Sequence, residues 1–197
     1  VVPGTYTVSL AKWEGNQFTE LAGPQSFETV AVGNAALPAA DRAANLAFQR
    51  KTARLQRAVL AATEVVGEVQ ERIDHLRQAA LDTPTGDPAW LARLEGIETS
   101  LNDVEILLTG DPTVARRREP TPPAILDRVL QVVYGHWTSS SAPTATERRG
   151  YEIAAEAFAP ALNALRAVDA DLTTLESEME AAGAPWTPGR MPTWQPE

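Results

Sequence analysis

The sequence predicts a mainly α fold: an antiparallel four-helix bundle with two long and two short helices, preceded by a small β-hairpin. Three observations predict it. Phe48, Thr52, Leu55, Val59, Ala62, Val66, Val69, Ile73, Leu76 and Ala80 follow one another at alternating steps of four and three, and all but Thr52 are apolar. Such a heptad stripe keeps one side of a helix against a partner along its whole length. Tyr151, Ala154, Phe158, Ala161, Leu165, Val168, Leu172, Leu175, Met179 and Ala182 repeat the spacing without a slip. Ahead of both, Tyr6, Val8 and Leu10 alternate with Thr5, Thr7 and Ser9, the period of a half-buried strand.

The chain divides into a hairpin over 1–33, a helical bundle over 34–183 and an extended Pro/Trp tail over 184–197. In the hairpin, Glu14-Gly15-Asn16 reads as a turn, and a second β-like run spans Gln25 to Val32 behind Pro24. Two or three strands make a poor independent structure in water. The segment therefore reads either as the closing hairpin of a β-sandwich or as a hairpin packed on the helices.

The first helix is expected from Pro38 to Leu81, since proline is tolerated in a first turn. At 1.5 Å per residue it is roughly 65 Å long, and other helices must line up along it. Leu81 to Gly86 breaks it with a proline and a glycine. Asp87-Pro88 then supplies a capping carboxylate and a first-turn proline. Trp90, Leu94, Ile97, Leu101, Val104 and Leu108 continue the stripe in a second helix about half as long, closed by Gly110. Asp111 to Pro123 is expected to be a loop. Ile125, Val129, Val132 and His136 mark a short third helix, and a Ser/Pro linker follows. Thr144 with Glu147 forms the capping box of a long fourth helix, which Pro160 should bend and Gly183 and Pro185 end. The tail is expected to be an extended strap whose Trp186 and Trp194 dock on the bundle, with a disordered tail as the alternative.

Two packings suit these lengths. The second and third helices can lie end to end as one broken rod, giving three columns, or all four can run up and down. Charge favours the second. Arg42, Arg50, Lys51, Arg54 and Arg57 make the first half of the first helix basic; Asp169, Asp171, Glu176, Glu178 and Glu180 make the last half of the fourth acidic. Antiparallel packing brings these halves together, although exposed ion pairs are worth only ~0–1 kcal/mol each. Two half-length helices cannot cover two long rods, so an apolar stripe is expected to stay open for a second copy, another domain or the tryptophan strap.

Composition narrows the function classes. With 26 acidic against 17 basic residues the net charge is −9, which argues against a nucleic-acid face. No apolar run approaches the ~18 residues of a membrane span. The absence of cysteine excludes disulfides and thiolate metal sites. The opening Val1-Val2-Pro3-Gly4 reads as an internal piece of a longer product.

Chemistry-bearing motifs are scarce. There is no phosphate loop, no nucleophile elbow, no zinc helix and no dinucleotide fingerprint. Glu152 and Glu156 lie one helical turn apart, a spacing that usually belongs to a solvated face. His136 continues an apolar stripe as a hydrogen-bonded rim residue, and His75 lies off the main seam. No catalytic residue, cofactor or metal is assigned. The candidate interaction residues are Trp90, Trp137, Trp186 and Trp194, with the arginine run Arg116, Arg117 and Arg118, which reads as a solvated loop or as paired with neighbouring carboxylates more readily than as an anion contact.

Pro3-Gly4-Thr5-Tyr6-Thr7-Val8-Ser9-Leu10 looks like the closing hairpin of an immunoglobulin-like domain. Leu37 to Arg42, Phe48 to Lys51, Ala142 to Thr144, Tyr151 to Ala154 and Gly183 to Arg190 follow in order. Together they resemble the C-terminal helical region of bacterial BNR-repeat, sortilin-like (VPS10-type) proteins that carry a glycosyl hydrolase label. The resemblance implies a preceding β-propeller and β-sandwich as partners, a secreted or periplasmic location and a tethering role; homodimerisation is expected separately, from the open seams and unequal helix lengths. The hydrolase label rests on the propeller, so no catalytic residue carries over. Against a non-catalytic docking or dimerisation module stand a carbohydrate-binding or hydrolase-associated accessory domain, with Glu152, Glu156 and the loop arginines as candidates, and a helical adaptor.

Overall fold

The computed structural model describes residues 2–31, 39–139, 141–192 and 194. Strands β1 (Gly4–Glu14) and β2 (Gln17–Thr29) pair antiparallel. Helices α1 (Ala39–Leu81), α2 (Ala89–Thr109), α3 (Pro112–Arg117), α4 (Ile125–Thr138) and α5 (Ala145–Ala181) follow. The expected helix start at Pro38 lies outside the described residues.

The hairpin turns where expected. Gly15 and Asn16 both have positive φ, 56° and 64°, as a two-residue turn matched to strand twist requires. The second strand is longer than the sequence suggested, running through Pro24 from Gln17. Register shifts opposite Val8–Leu10 and Leu10–Ala11 absorb the Gly23-Pro24 interruption as bulges, where a residue without an N–H is tolerated. The ribbon does not pack on the helices. Tyr6, Val8, Leu10, Trp13, Phe18, Leu21 and Phe27 are all exposed.

The stripes read from the sequence are the core. Val59, Ala62, Val66, Val69, Ile73 and Leu76 on α1 meet Leu94, Ile97, Leu101 and Val104 on α2, and Phe158, Leu165, Val168, Leu172 and Met179 on α5. Thr52, the polar exception, is fully buried, and its hydroxyl donates to the Phe48 carbonyl at 3.0 Å. That bond satisfies the one group in the stripe that burial would otherwise leave unpaired.

The chain direction differs from the charge-based expectation. Phe48 of α1 packs against Tyr151 of α5, with ring centroids 5.8 Å apart, and Arg72 of α1 meets Glu176 of α5. Numbers rise together, so α1 and α5 are parallel. Along α2 they fall as those of α1 rise: Gln70 bonds Glu98, while Leu108 and Thr109 lie beside Thr63. Then α4 continues the same way, ending with His136 against Phe48. The bundle therefore has three columns, α1 up, α2 with α4 down, α5 up, and is not an up-and-down set of four.

Burial explains the outcome. Helices α2 and α4, of 21 and 14 residues, together nearly match the 37 residues of α5 and close the seams that two separate short helices would leave open. The expected open apolar stripe is therefore absent from α1 and α5 among the described residues. Each buried aliphatic side chain is worth about 1.5–3 kcal/mol, and exposed ion pairs cannot outweigh a row of them.

The segment expected to be a loop at 111–123 contains α3. Asp111 Oδ1 accepts from Thr113 N at 2.7 Å and Val114 N at 3.4 Å, Pro112 opens the helix, and Arg118 closes it at φ 55°. Asp-Pro is the same start signal that announces α2 at Asp87-Pro88. The capping box of α5 forms as expected: Glu147 N donates to Thr144 Oγ1 at 3.2 Å, and Thr144 N donates to Glu147 Oε2 at 2.6 Å. Helix α5 runs on through Pro160.

Candidate functional site

The polar structure concentrates at the two ends of the bundle. At the C-terminal ends of α1 and α5, Arg72 lies one position before the buried Ile73 and reaches across to α5. Its Nε and Nη2 donate to the two oxygens of Glu176 at 3.0 and 2.9 Å. Nη1 donates to Asp169 at 2.6 Å and Nη2 to Thr173 at 3.2 Å. Glu176 is only 3 % exposed. Hydrogen bonding to Glu176, partly opposed by burial, pushes the Arg72 pKa further above its already high value.

The chain after α5 folds back over this pair. Thr187 is buried, Gly189 passes over the Arg72 side chain, and Arg190 Nη1 donates to Glu180 at 2.8 Å and to the Glu176 carbonyl at 3.2 Å. Residues 187–190 thus form a strap on the helices, anchored by Thr187 and Arg190. Trp186 is 54 % and Trp194 83 % exposed, so neither tryptophan docks as an anchor. Between strap and helices lies an open groove of about 510 Å³, bordered by Glu68, Glu71, His75 and Asp169. Arg93 of α2 pairs with Glu178 of α5 nearby.

At the other end, Phe48 sits edge-on between His136 and Tyr151, at 5.3 and 5.8 Å between centroids. Lys51 lies 4.3 Å from the Tyr151 ring centre and Arg148 5.9 Å from that of Phe48. His136 is a rim residue as expected, yet its buried Nε2 has no hydrogen-bond partner among the described residues, and its ring packs edge-on against Phe48. Burial pushes its pKa below the ordinary imidazole value, with Glu147 opposing. Beside it Trp137, 74 % exposed, stacks edge-on against exposed Tyr134.

The sequence-derived candidates scatter. Trp90 is buried in the α2 core, and a methyl at Gly86 would strike it. Arg116, Arg117 and Arg118 are exposed at α3, where Arg116 and Arg117 donate to carbonyls of their own turn and Arg117 lies 3.7 Å from Glu119. Thr113 hydrogen bonds hold the Asp111 carboxylate below its ordinary pKa. Glu152 pairs with Arg149 on its own helix, and Glu156 is exposed.

The network sequence reasoning missed is Arg72–Glu176–Arg190. Its signal was available: Glu176 falls four residues after Leu172 and three before Met179, on the edge of the α5 stripe. A carboxylate there must be paired or costly. Among the described residues no cluster of His, Asp and Glu could hold a metal ion, and no helix is long and apolar enough to cross a membrane. No family model, curated protein or solved structure matches the chain.

Proposed function

We propose that this chain is a non-catalytic helical module that docks onto β-structured domains of a larger extracytoplasmic protein of the BNR-propeller, sortilin-like kind, and that it also assembles with a second copy. The observation that carries the docking half is the ribbon. Its Tyr6–Phe27 and Trp13–Phe18 pairs, with centroids 6.1 and 6.4 Å apart, face solvent along strands that touch no helix core. A two-stranded ribbon is marginal in water, and exposed aromatic faces with free edges call for another sheet. The immunoglobulin-like resemblance of residues 3–10 names a β-sandwich as that sheet.

Amide hydrogen exchange tests it. In this chain alone, amides of 4–29 should exchange with little protection while those of α1, α2 and α5 are slow. In a product that includes the preceding β domains, the same amides should become protected. Ribbon amides as slow as the bundle core in the isolated chain would mean that the hairpin is self-sufficient, and the docking reading would fall.

The exposed Tyr134–Trp137 pair favours a second reading, a carbohydrate-binding accessory domain, because flat exposed rings suit sugar faces. Saturable glycan binding lost in Trp137→Ala would select it.

A further inference from the structure

The outer face of α1 carries a charge pattern that the core does not use, and of which only Glu68 and Glu71, at one end, border the groove beside the strap. Arg50, Arg54, Arg57, Ala61, Glu64, Glu68 and Glu71 follow one another at steps of four, three, four, three, four and three, and every one is exposed. They form a single stripe on the side of α1 away from the buried seam. None of the six charged residues has an ion-pair partner among the described residues. Within the helix the arrangement is unfavourable. Arg50 and Arg54, and Glu64 and Glu68, are like charges one turn apart, each costing about 0.2–0.5 kcal/mol.

The stripe is self-complementary. We infer that it is the contact face for a second copy of this chain, with the two α1 helices antiparallel about a two-fold axis crossing between Leu60 and Ala61. That axis sets Arg57 opposite Glu64 of the second copy and Arg50 opposite Glu71, with Arg54 within one residue of level with Glu68. The same operator repeats all three pairs on the other half, as an isologous contact requires. A parallel copy in register would set like charges against each other. At the centre, Leu60, 43 % exposed, meets Ala61 of the second copy, a small residue that lets two helices approach closely. The stripe is about 32 Å long, and its attraction rests on charge. The complex is therefore salt-sensitive, and salt should weaken it more than it weakens the fold. The inference deepens the assembly half of the proposed function and is independent of the ribbon.

Light scattering and sedimentation of the full chain test it, with two charge-reversed variants. One carries Arg50→Glu, Arg54→Glu and Arg57→Glu; the other carries Glu64→Lys, Glu68→Lys and Glu71→Lys. None of these positions contacts the core, so circular dichroism and Tm should stay close to the parent's. The parent should dimerise at about 20 mM salt and dissociate towards monomer at about 0.5 M, where the screening length falls to about 4 Å. Each variant alone should be monomeric, and an equimolar mixture should form a 1:1 heterodimer more salt-resistant than the parent dimer. A monomeric parent at low salt, a variant that still dimerises, or a mixture that stays monomeric each overturns the assignment. None of these results bears on ribbon protection, which hydrogen exchange reads separately.

Discussion

Arg72 of α1 holds Glu176 of α5 in a two-point ion pair, Nε and Nη2 each donating to one carboxylate oxygen at 3.0 and 2.9 Å. The carboxylate is almost wholly buried while the guanidinium keeps 21 % of its side chain exposed. Asp169 and Thr173 take up two of its three remaining N–H donors. The pair joins the two parallel columns, and the returning strap rests on it.

Removing one partner should therefore cost more than removing both. Glu176→Ala leaves the Arg72 guanidinium with only Asp169 and Thr173, and it should lower unfolding stability by about 2–4 kcal/mol, below the 3–5 kcal/mol of a fully buried pair because Arg72 is partly solvated. Arg72→Met with Glu176→Leu should recover much of that loss. Urea unfolding of the two variants checks this; a single variant within about 0.5 kcal/mol of the parent would show that the pair does not contribute to stability.

Gly86 lies against the indole of Trp90. A methyl there would come within 2.5 Å of Trp90 Cζ3 and 3.0 Å of the Thr83 carbonyl oxygen. Gly86→Ala should destabilise by about 1–3 kcal/mol through overpacking. Because Trp90 must move, its fluorescence should shift in the folded state, and an unchanged spectrum with unchanged stability would contradict the contact.

His136 links stability to pH. Its folded-state pKa is depressed by burial, so the unfolded chain takes up the proton more readily. The contribution is complete above the unfolded value of about 6.5 and is lost as pH falls through it towards the folded pKa. Tm should drop between pH 7.5 and 5.5 in the parent and drop less in His136→Phe, which keeps the ring against Phe48. Equal slopes for the two proteins would remove His136 from the account.

The α5 capping box should be measurable on its own. Thr144→Ala removes the acceptor for Glu147 N and should cost about 1 kcal/mol. Glu147→Ala should cost less on top of it than alone, since each residue bonds the other's backbone. Additive losses would mean the two caps act separately.

How much was legible beforehand depends on the kind of signal. Val59, Leu101, Leu165 and their neighbours lie where a period of three and four put them, because a helix that buries one side repeats its apolar positions at that spacing. The Thr144 cap and the Gly15-Asn16 turn were legible for a similar reason, being set by residues close in sequence. Helix α3 was equally local, and Asp111-Pro112 announces it as clearly as Asp87-Pro88 announces α2. Of the candidate site residues, Trp137 is at the surface and Trp90 in the core, a distinction the stripe of α2 already contained.

Periodicity thus sufficed to say which face of each of the four longer helices turns inward, and glycine, proline and capping residues marked where those helices end. Periodicity could not say which way the columns run. An apolar stripe of Val, Leu and Ala has no polarity, so a parallel and an antiparallel neighbour bury nearly the same area. The surface charges that appeared to choose between them are screened by water and weak. What chose was the fit of α2 and α4 as one interrupted column along both long helices. Arg72 then comes level with Glu176, and the basic and acidic halves of α1's outer face are left facing away from the fold.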